Sequence, residues 1–160
     1  MIRKISLATL TAVVLCACNF SAGTYKDLGT GLSYSYNGFA VDEVLLVGPD
    51  NEVMSNNEVD INTKVAIVVQ GLQNYELADG MAHPGLMLKL TDTSGNPILD
   101  EEDLFADNEG YPAEDASVLR GSVTVGNPME SGETYHLQIR VWDKQKPESV
   151  LTADVDLVVK

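Results

Sequence analysis

Hydrophobic residues recur at every second position through most of the chain beyond residue 31. Residues 135–142 show the pattern most clearly, because Tyr, Leu, Ile and Val alternate there with His, Gln, Arg and Trp. A period of two indicates a β-strand that buries one of its faces. Alternation, or a short apolar run, predicts strands over 32–36, 41–47, 59–69, 86–91, 119–125, 135–142 and 151–159.

Turn-forming residues separate the predicted strands, as in Gly-Pro-Asp-Asn at 48–51 and Asp-Thr-Ser-Gly-Asn-Pro at 92–97. No long segment has helical periodicity, although a short helical turn near 100–105 or 112–116 fits the pattern. Residues 59–69 read as one long strand with Val59 and Val69 on the same apolar face. About seven strands with one apolar face each predict an all-β domain over 32–160, an immunoglobulin-like antiparallel β-sandwich.

A local motif before the sixth predicted strand supports this fold class. Met129, Gly132 and Tyr135, followed by alternating aliphatic residues to Ile139, resemble the fibronectin type III signature. The resemblance covers residues 129–139, and Ser131 stands where that family usually has proline. It implies that the Tyr135 side chain packs across a corner of the sandwich.

The first 18 residues have the features of an export signal. Arg3 and Lys4 precede an apolar run over 5–15, which is shorter than the ~20 residues that a membrane-spanning helix needs. The run ends in Leu-Cys-Ala-Cys at 15–18, which resembles the bacterial lipobox because the small Ala17 precedes Cys18. This resemblance implies a cleaved lipoprotein signal peptide over 1–17 and lipidation of Cys18. An ordinary signal peptide cut elsewhere, with two incidental cysteines, is the alternative.

Residues 18–31 are rich in Gly, Ser and Thr, and they predict a lipidated tether that holds the domain off the membrane. By resemblance to enteric lipoproteins, Asn19 in place of Asp indicates the outer membrane. The end of the chain, from Trp142-Asp-Lys onward, resembles small Bacteroides-type lipoproteins. The acidic cluster that sends some of those proteins to the cell surface is missing after Cys18, which favours a domain facing the periplasm.

The chain is strongly acidic, with 10 Lys and Arg against 24 Asp and Glu and a formal net charge of −14. Such a charge repels phosphate backbones, so we expect no nucleic-acid partner. It also disfavours anionic lipid surfaces, so we expect membrane attachment through the N-terminal lipid.

Residues 100–115 form the longest predicted loop and concentrate Asp and Glu residues. The candidate metal ligands are Asp100, Asp103, Asp107 and Glu109, because Ca²⁺ takes roughly six to eight oxygen ligands. The spacing departs from an EF-hand loop, since Phe105 would stand at the first position if Gly110 stood at the sixth. A solvated acidic loop without metal is the alternative, and apart from Ca²⁺ we expect no cofactor.

Trp142 is the candidate binding residue, since it falls with Arg140 and Gln138 on the polar side of its predicted strand. An exposed Trp beside an Arg suits a protein partner or a sugar ring. The alternative is a Trp that is tucked under a neighbouring loop.

Catalytic signatures such as Gly-x-Ser-x-Gly, a phosphate-binding loop and His-Glu-x-x-His do not occur in the sequence. We therefore expect a non-catalytic envelope lipoprotein, a binding or structural module that contacts an envelope protein or glycan. One alternative is a calcium-dependent adhesion or carbohydrate-binding domain that uses the loop over 100–115. A more distant alternative is a small envelope hydrolase.

Overall fold

The computed structural model describes residues 21–160, which form an all-β sandwich of mainly antiparallel strands. The strands in chain order are β1 (Ala22–Lys26), β2 (Ser33–Asn37), β3 (Glu43–Val47), β4 (Glu58–Val59), β5 (Lys64–Gln70), β6 (Met81–Ala82), β7 (Pro84–Asp92), β8 (Pro97–Glu101), β9 (Tyr111–Pro112), β10 (Leu119–Thr124), β11 (Thr134–Asp143) and β12 (Val150–Val159). Within the described range, the helical content is a single 3-10 turn over Asp115–Ser117.

The strands divide into a larger and a smaller sheet. The larger sheet has the order β1-β2-β12-β11-β7-β8, and β4 also pairs with the end of β12. The smaller sheet has the order β10-β5-β3, and β6 and β9 form a short ribbon of their own. The predicted all-β class and antiparallel sandwich are therefore confirmed. The immunoglobulin type of sandwich stays a prediction.

The core lies between the two sheets and follows the alternation of the sequence. Leu137, Ile139 and Val141 of β11 are fully buried, and the residues between them point to the other side of the sheet. From the smaller sheet, β5 contributes Val65, Ile67 and Val69 to the same cluster. Every second residue pair along β11 and β12 thus adds apolar side chains to one interior. Burial of that surface is the main force that holds the sheets together.

The predicted role of Tyr135 agrees with its position in the structure. Tyr135 is buried at the start of β11, and its hydroxyl accepts a hydrogen bond of 2.9 Å from the backbone N–H of Glu130. Gly132, between them, has a φ of 89°, a left-handed conformation that glycine adopts without steric cost. The Tyr135 side chain therefore ties the turn before β11 to the strand itself.

The single long strand predicted over 59–69 is wrong, because a turn over 60–63 divides it into β4 and β5. Asn62 has a φ of 66°, and Thr63 donates from both its backbone N–H and its hydroxyl to the carbonyl of Asp60. Asn tolerates this left-handed conformation better than most residues. As a result, Val59 joins the larger sheet, while β5 forms the centre of the smaller one.

Part of the tether predicted over 18–31 instead belongs to the sandwich, because Ala22–Lys26 is strand β1. This strand pairs with β2 along its whole length, and the carboxylate of Asp27 accepts backbone hydrogen bonds from Gly29 and Thr30 in the turn that follows. As an edge strand held by backbone pairing, β1 needs no apolar stripe, so alternation does not reveal it. Cys18 and the signal peptide predicted for 1–17 lie outside the described residues.

No helix within 21–160 has the length and apolar character needed to cross a bilayer.

Candidate functional site

The predicted binding residues Gln138, Arg140 and Trp142 lie together on the outer face of the larger sheet. They alternate along β11 with core residues such as Ile139, which point inward. Side chains on directly paired residues share one face of a sheet. We name this surface the open sheet face, and it comprises Met87 and Lys89 of β7, Gln138, Arg140 and Trp142 of β11, and Thr152 and Asp154 of β12.

Trp142 lies across the neighbouring strand rather than standing out into solvent. Its indole ring covers Gly85, its paired residue on β7, so closely that a side chain at position 85 would collide with the ring. Trp142 is half-buried as a consequence. The ring is thus positioned by a strand, whereas the sequence suggested either full exposure or cover by a loop.

Arg140 lies over the indole ring. Its guanidinium carbon lies 5.2 Å from the ring centroid of Trp142, a distance at which a cation is attracted to an aromatic face. Arg140 is exposed and takes part in no salt bridge within the described range. This contact favours one position of the guanidinium, and its N–H groups remain available to a carboxylate or carbonyl.

The charged neighbours of Arg140 on the open sheet face already have partners. Lys89 forms a salt bridge of 3.0 Å with Asp100, and Asp154 accepts hydrogen bonds from the Ser33 hydroxyl. Further along the face, the His136 ring contacts Asp156 at 2.8 Å. Arg140 therefore stands on this surface as a cation that forms no salt bridge with these neighbours.

The predicted calcium ligands do not come together, so the structure does not support that site. Asp100 belongs to β8 and pairs with Lys89, while Asp103 pairs with Lys144 and Asp107 is exposed. Across residues 21–160, no three His, Cys, Asp or Glu side chains are grouped so that they could hold a metal ion. The loop predicted over 100–115 is also shorter, because β8, β9 and the 3-10 turn occupy parts of it.

Asp103 instead fastens this acidic segment to the sandwich. Its Oδ1 accepts hydrogen bonds from the N–H groups of Leu86 and Phe105, and its Oδ2 lies 2.8 Å from Nζ of Lys144. Lys144 also donates to the carbonyl of Phe105 at 2.7 Å. Lys144 follows β11 in the chain and is 41 positions from Asp103, so no local pattern could reveal the pair.

The pKa of Asp103 reflects these contacts. Burial by itself would raise it, but the hydrogen bonds from Lys144 and from two backbone N–H groups outweigh burial and lower it below the ordinary value of 3.8. A carboxyl whose folded pKa is lowered stabilises the fold above its unfolded pKa, and that stabilisation is lost as the pH falls through the folded value.

Asp103→Asn should therefore reduce the free energy of unfolding at pH 7 by about 1–3 kcal/mol, the range for a hydrogen-bonded charged group. Urea unfolding at a series of pH values would measure this. The difference in the free energy of unfolding between the variant and the unsubstituted protein should shrink as the pH falls below 3.8. Asp107→Asn, in the exposed part of the same segment, is the matched control and should change little. A difference that stays constant down to low pH would contradict the assigned role.

No family model matches the chain, and no curated protein matches it either. Function is therefore inferred from the chemistry of the described residues, and above all from the Arg140 and Trp142 pair on the open sheet face.

Proposed function

We propose that the chain is a non-catalytic lipoprotein of the bacterial envelope, and that its β-sandwich binds an envelope protein through the open sheet face. In this proposal Cys18 carries the lipid, the anchor lies in the outer membrane, and the domain faces the periplasm. In this proposal the protein binds a partner and catalyses no reaction.

The observation that carries the proposal is the Arg140 guanidinium stacked on Trp142. Trp and Arg are enriched among the few residues that dominate protein–protein binding energies. Here the guanidinium is exposed, lacks a salt bridge within the described range and is held in place by the indole. The contact with the indole reduces the side-chain entropy that Arg140 would lose on binding a carboxylate of a partner.

The same geometry favours a protein over a glycan. A sugar ring binds an indole by stacking its aliphatic face on the ring. Gly85 covers one face of the Trp142 indole, and Arg140 lies over the ring. A sugar would first have to displace Arg140, whereas an acidic side chain can approach Arg140 directly.

Site-specific photo-crosslinking in intact cells tests this proposal. A photoreactive amino acid at position 138 should give one discrete protein adduct, because position 138 lies on the open sheet face. The same amino acid at position 122 points outward from β10 on the smaller sheet and serves as the control. Equal adducts at the two positions, or none at position 138, would overturn the proposal.

Arg140→Ala should weaken that adduct by about tenfold or more, the effect of a residue that dominates an interface. Arg120→Ala is the matched control, since Arg120 is an exposed arginine on the smaller sheet whose guanidinium donates a hydrogen bond to Asn51. The adduct should persist in the Arg120 variant. Circular dichroism of both variants would check that the fold is retained.

A further inference from the structure

A second candidate site lies on the inner side of the hairpin formed by β1 and β2. Tyr25 pairs with Tyr34, and Tyr34 pairs with the buried Ala153, so both rings are on the side of the larger sheet that faces the smaller one. The smaller sheet ends at β3, and a cavity of about 240 Å³ remains between β3 and the hairpin. We name it the tyrosine groove, and its lining includes Tyr25, Tyr34, Asp27, Asp42, Glu43 and Val53.

Aromatic rings form one wall of the tyrosine groove. The centroids of Tyr25 and Tyr34 are 5.4 Å apart, and Tyr36 stacks on Tyr34 at 6.4 Å. The Tyr25 side chain is 52% exposed, so its ring face is accessible from solvent. An accessible tyrosine face attracts a cation, because the π electrons carry partial negative charge.

Part of the rim of the tyrosine groove is acidic. Asp27, Asp42 and Glu43 line the groove, and none of them forms a salt bridge within residues 21–160. Lys26 follows Tyr25 in the sequence, but it pairs with Ser33 and thus points to the opposite face of the sheet. The groove is consequently negative both from its rings and from its charged rim.

Two pKa shifts agree with this arrangement. Hydrogen bonds from the backbone and the side chain of Thr30 lower the pKa of Asp27, so its carboxylate stays ionised at neutral pH. Burial raises the pKa of Tyr34, and the nearby Tyr36, Tyr25 and Glu43 raise it further.

We propose that the tyrosine groove receives a lysine or arginine side chain from an exposed segment of a partner protein. The cavity is smaller than the roughly 300–1,000 Å³ of pockets that hold drug-sized molecules, and this size favours a single side chain. Charge complementarity selects a basic side chain, and the aromatic wall adds a cation–π contact. The site is separate from the open sheet face, so it does not depend on the function proposed above.

NMR titration with synthetic peptides tests this proposal. Three peptides would be identical and uncharged except at one position, which carries arginine, lysine or glutamate. The arginine and lysine peptides at millimolar concentration should shift resonances of Tyr25, Tyr34 and Glu43, and high salt should suppress the shifts. The glutamate peptide should leave them unchanged.

Variants then distinguish the contribution of the aromatic ring to peptide binding from that of the carboxylate charge. Tyr25→Leu should weaken binding of the arginine peptide by about tenfold, and Tyr25→Phe should retain it, because the ring face rather than the hydroxyl holds the cation. Glu43→Gln should also weaken binding, with Glu133→Gln at an exposed site as the matched control. Tyr25 is half-exposed on an edge strand, so these variants leave the core intact.

Several outcomes would overturn the proposal. These are no shift at millimolar peptide, equal shifts with the glutamate peptide, and shifts confined to the open sheet face. If the resonances instead move with protein concentration when no peptide is present, the groove is a contact between two copies of this chain.

Discussion

Cys18→Ser should release the protein from the membrane fraction into the soluble periplasmic fraction. Each buried CH₂ of an acyl chain contributes ~0.8 kcal/mol to membrane binding, so losing several chains removes the anchor completely. Cell fractionation measures the release from the membrane, and mass spectrometry of the purified protein measures the loss of the acyl chains. The unsubstituted protein should begin at an acylated Cys18.

Cys16→Ser provides the matched control, because this residue leaves with the signal peptide in the proposed processing. The Cys16 variant should remain in the membrane fraction. If it is released instead, or if the mature protein begins with an unmodified residue beyond position 18, the proposed anchor is wrong.

The position of β1 changes what such an anchor would do. Four Cα-to-Cα steps separate Cys18 from Ala22, and an extended chain spans at most about 14 Å over that number of steps. The proposed lipid would therefore hold the sandwich close to the bilayer, whereas the sequence suggested a short tether over 18–31 that holds the domain off the membrane. Ala22 lies in the same row of paired residues as Asn37, Val150 and Trp142, so this end of the sheet would be nearest to the membrane.

Ile139→Ala should reduce the free energy of unfolding by about 2–5 kcal/mol, because it leaves a cavity at a fully buried position. Gly121 of β10 faces Ile139 across the core, and a Cβ built on Gly121 would lie 2.6 Å from Cγ2 of Ile139. Gly121→Ala alone should therefore cost about 1–3 kcal/mol through overpacking. Urea unfolding of both variants would measure these effects.

The double variant is the decisive measurement. With Ile139 shortened, the new methyl group at position 121 has room and fills part of the cavity. The combined loss should be smaller than the sum of the single losses by about 0.5–3 kcal/mol, the usual coupling between residues in contact. Gly126→Ala is the matched control, since its added Cβ meets no atom within 4 Å. Additive losses would mean that these two sheets do not pack as described.

Much of the core could be predicted from the alternation of residues alone. Tyr135, Leu137 and Ile139 were assigned to one face of a strand, and all three are buried in β11. A strand that buries one face imposes a period of two on its own sequence, so this information is local. The same period placed Gln138, Arg140 and Trp142 together on the opposite face.

Other features depend on contacts between residues that are distant in the chain. Strand β1 exists because β2 pairs with it, and the turn at Asn62 depends on a hydrogen bond from its N–H to the carbonyl of Val125. Asp103 had been assigned to a calcium site, yet a lysine from the end of β11 occupies its carboxylate. The sequence shows which side chains carry charge, but it does not show which opposite charge the fold brings to them.

The sequence by itself thus determined the class of fold and the inward face of strands such as β11, and the proposed address at Cys18 rests on the sequence alone. The tertiary structure alone decided the sheet order, the stacking of Arg140 and Trp142 over Gly85, and the tyrosine groove beside β3. The physical reason is range: alternation acts between neighbours along one strand, whereas pairing, stacking and cavities arise between strands that the chain brings together only on folding.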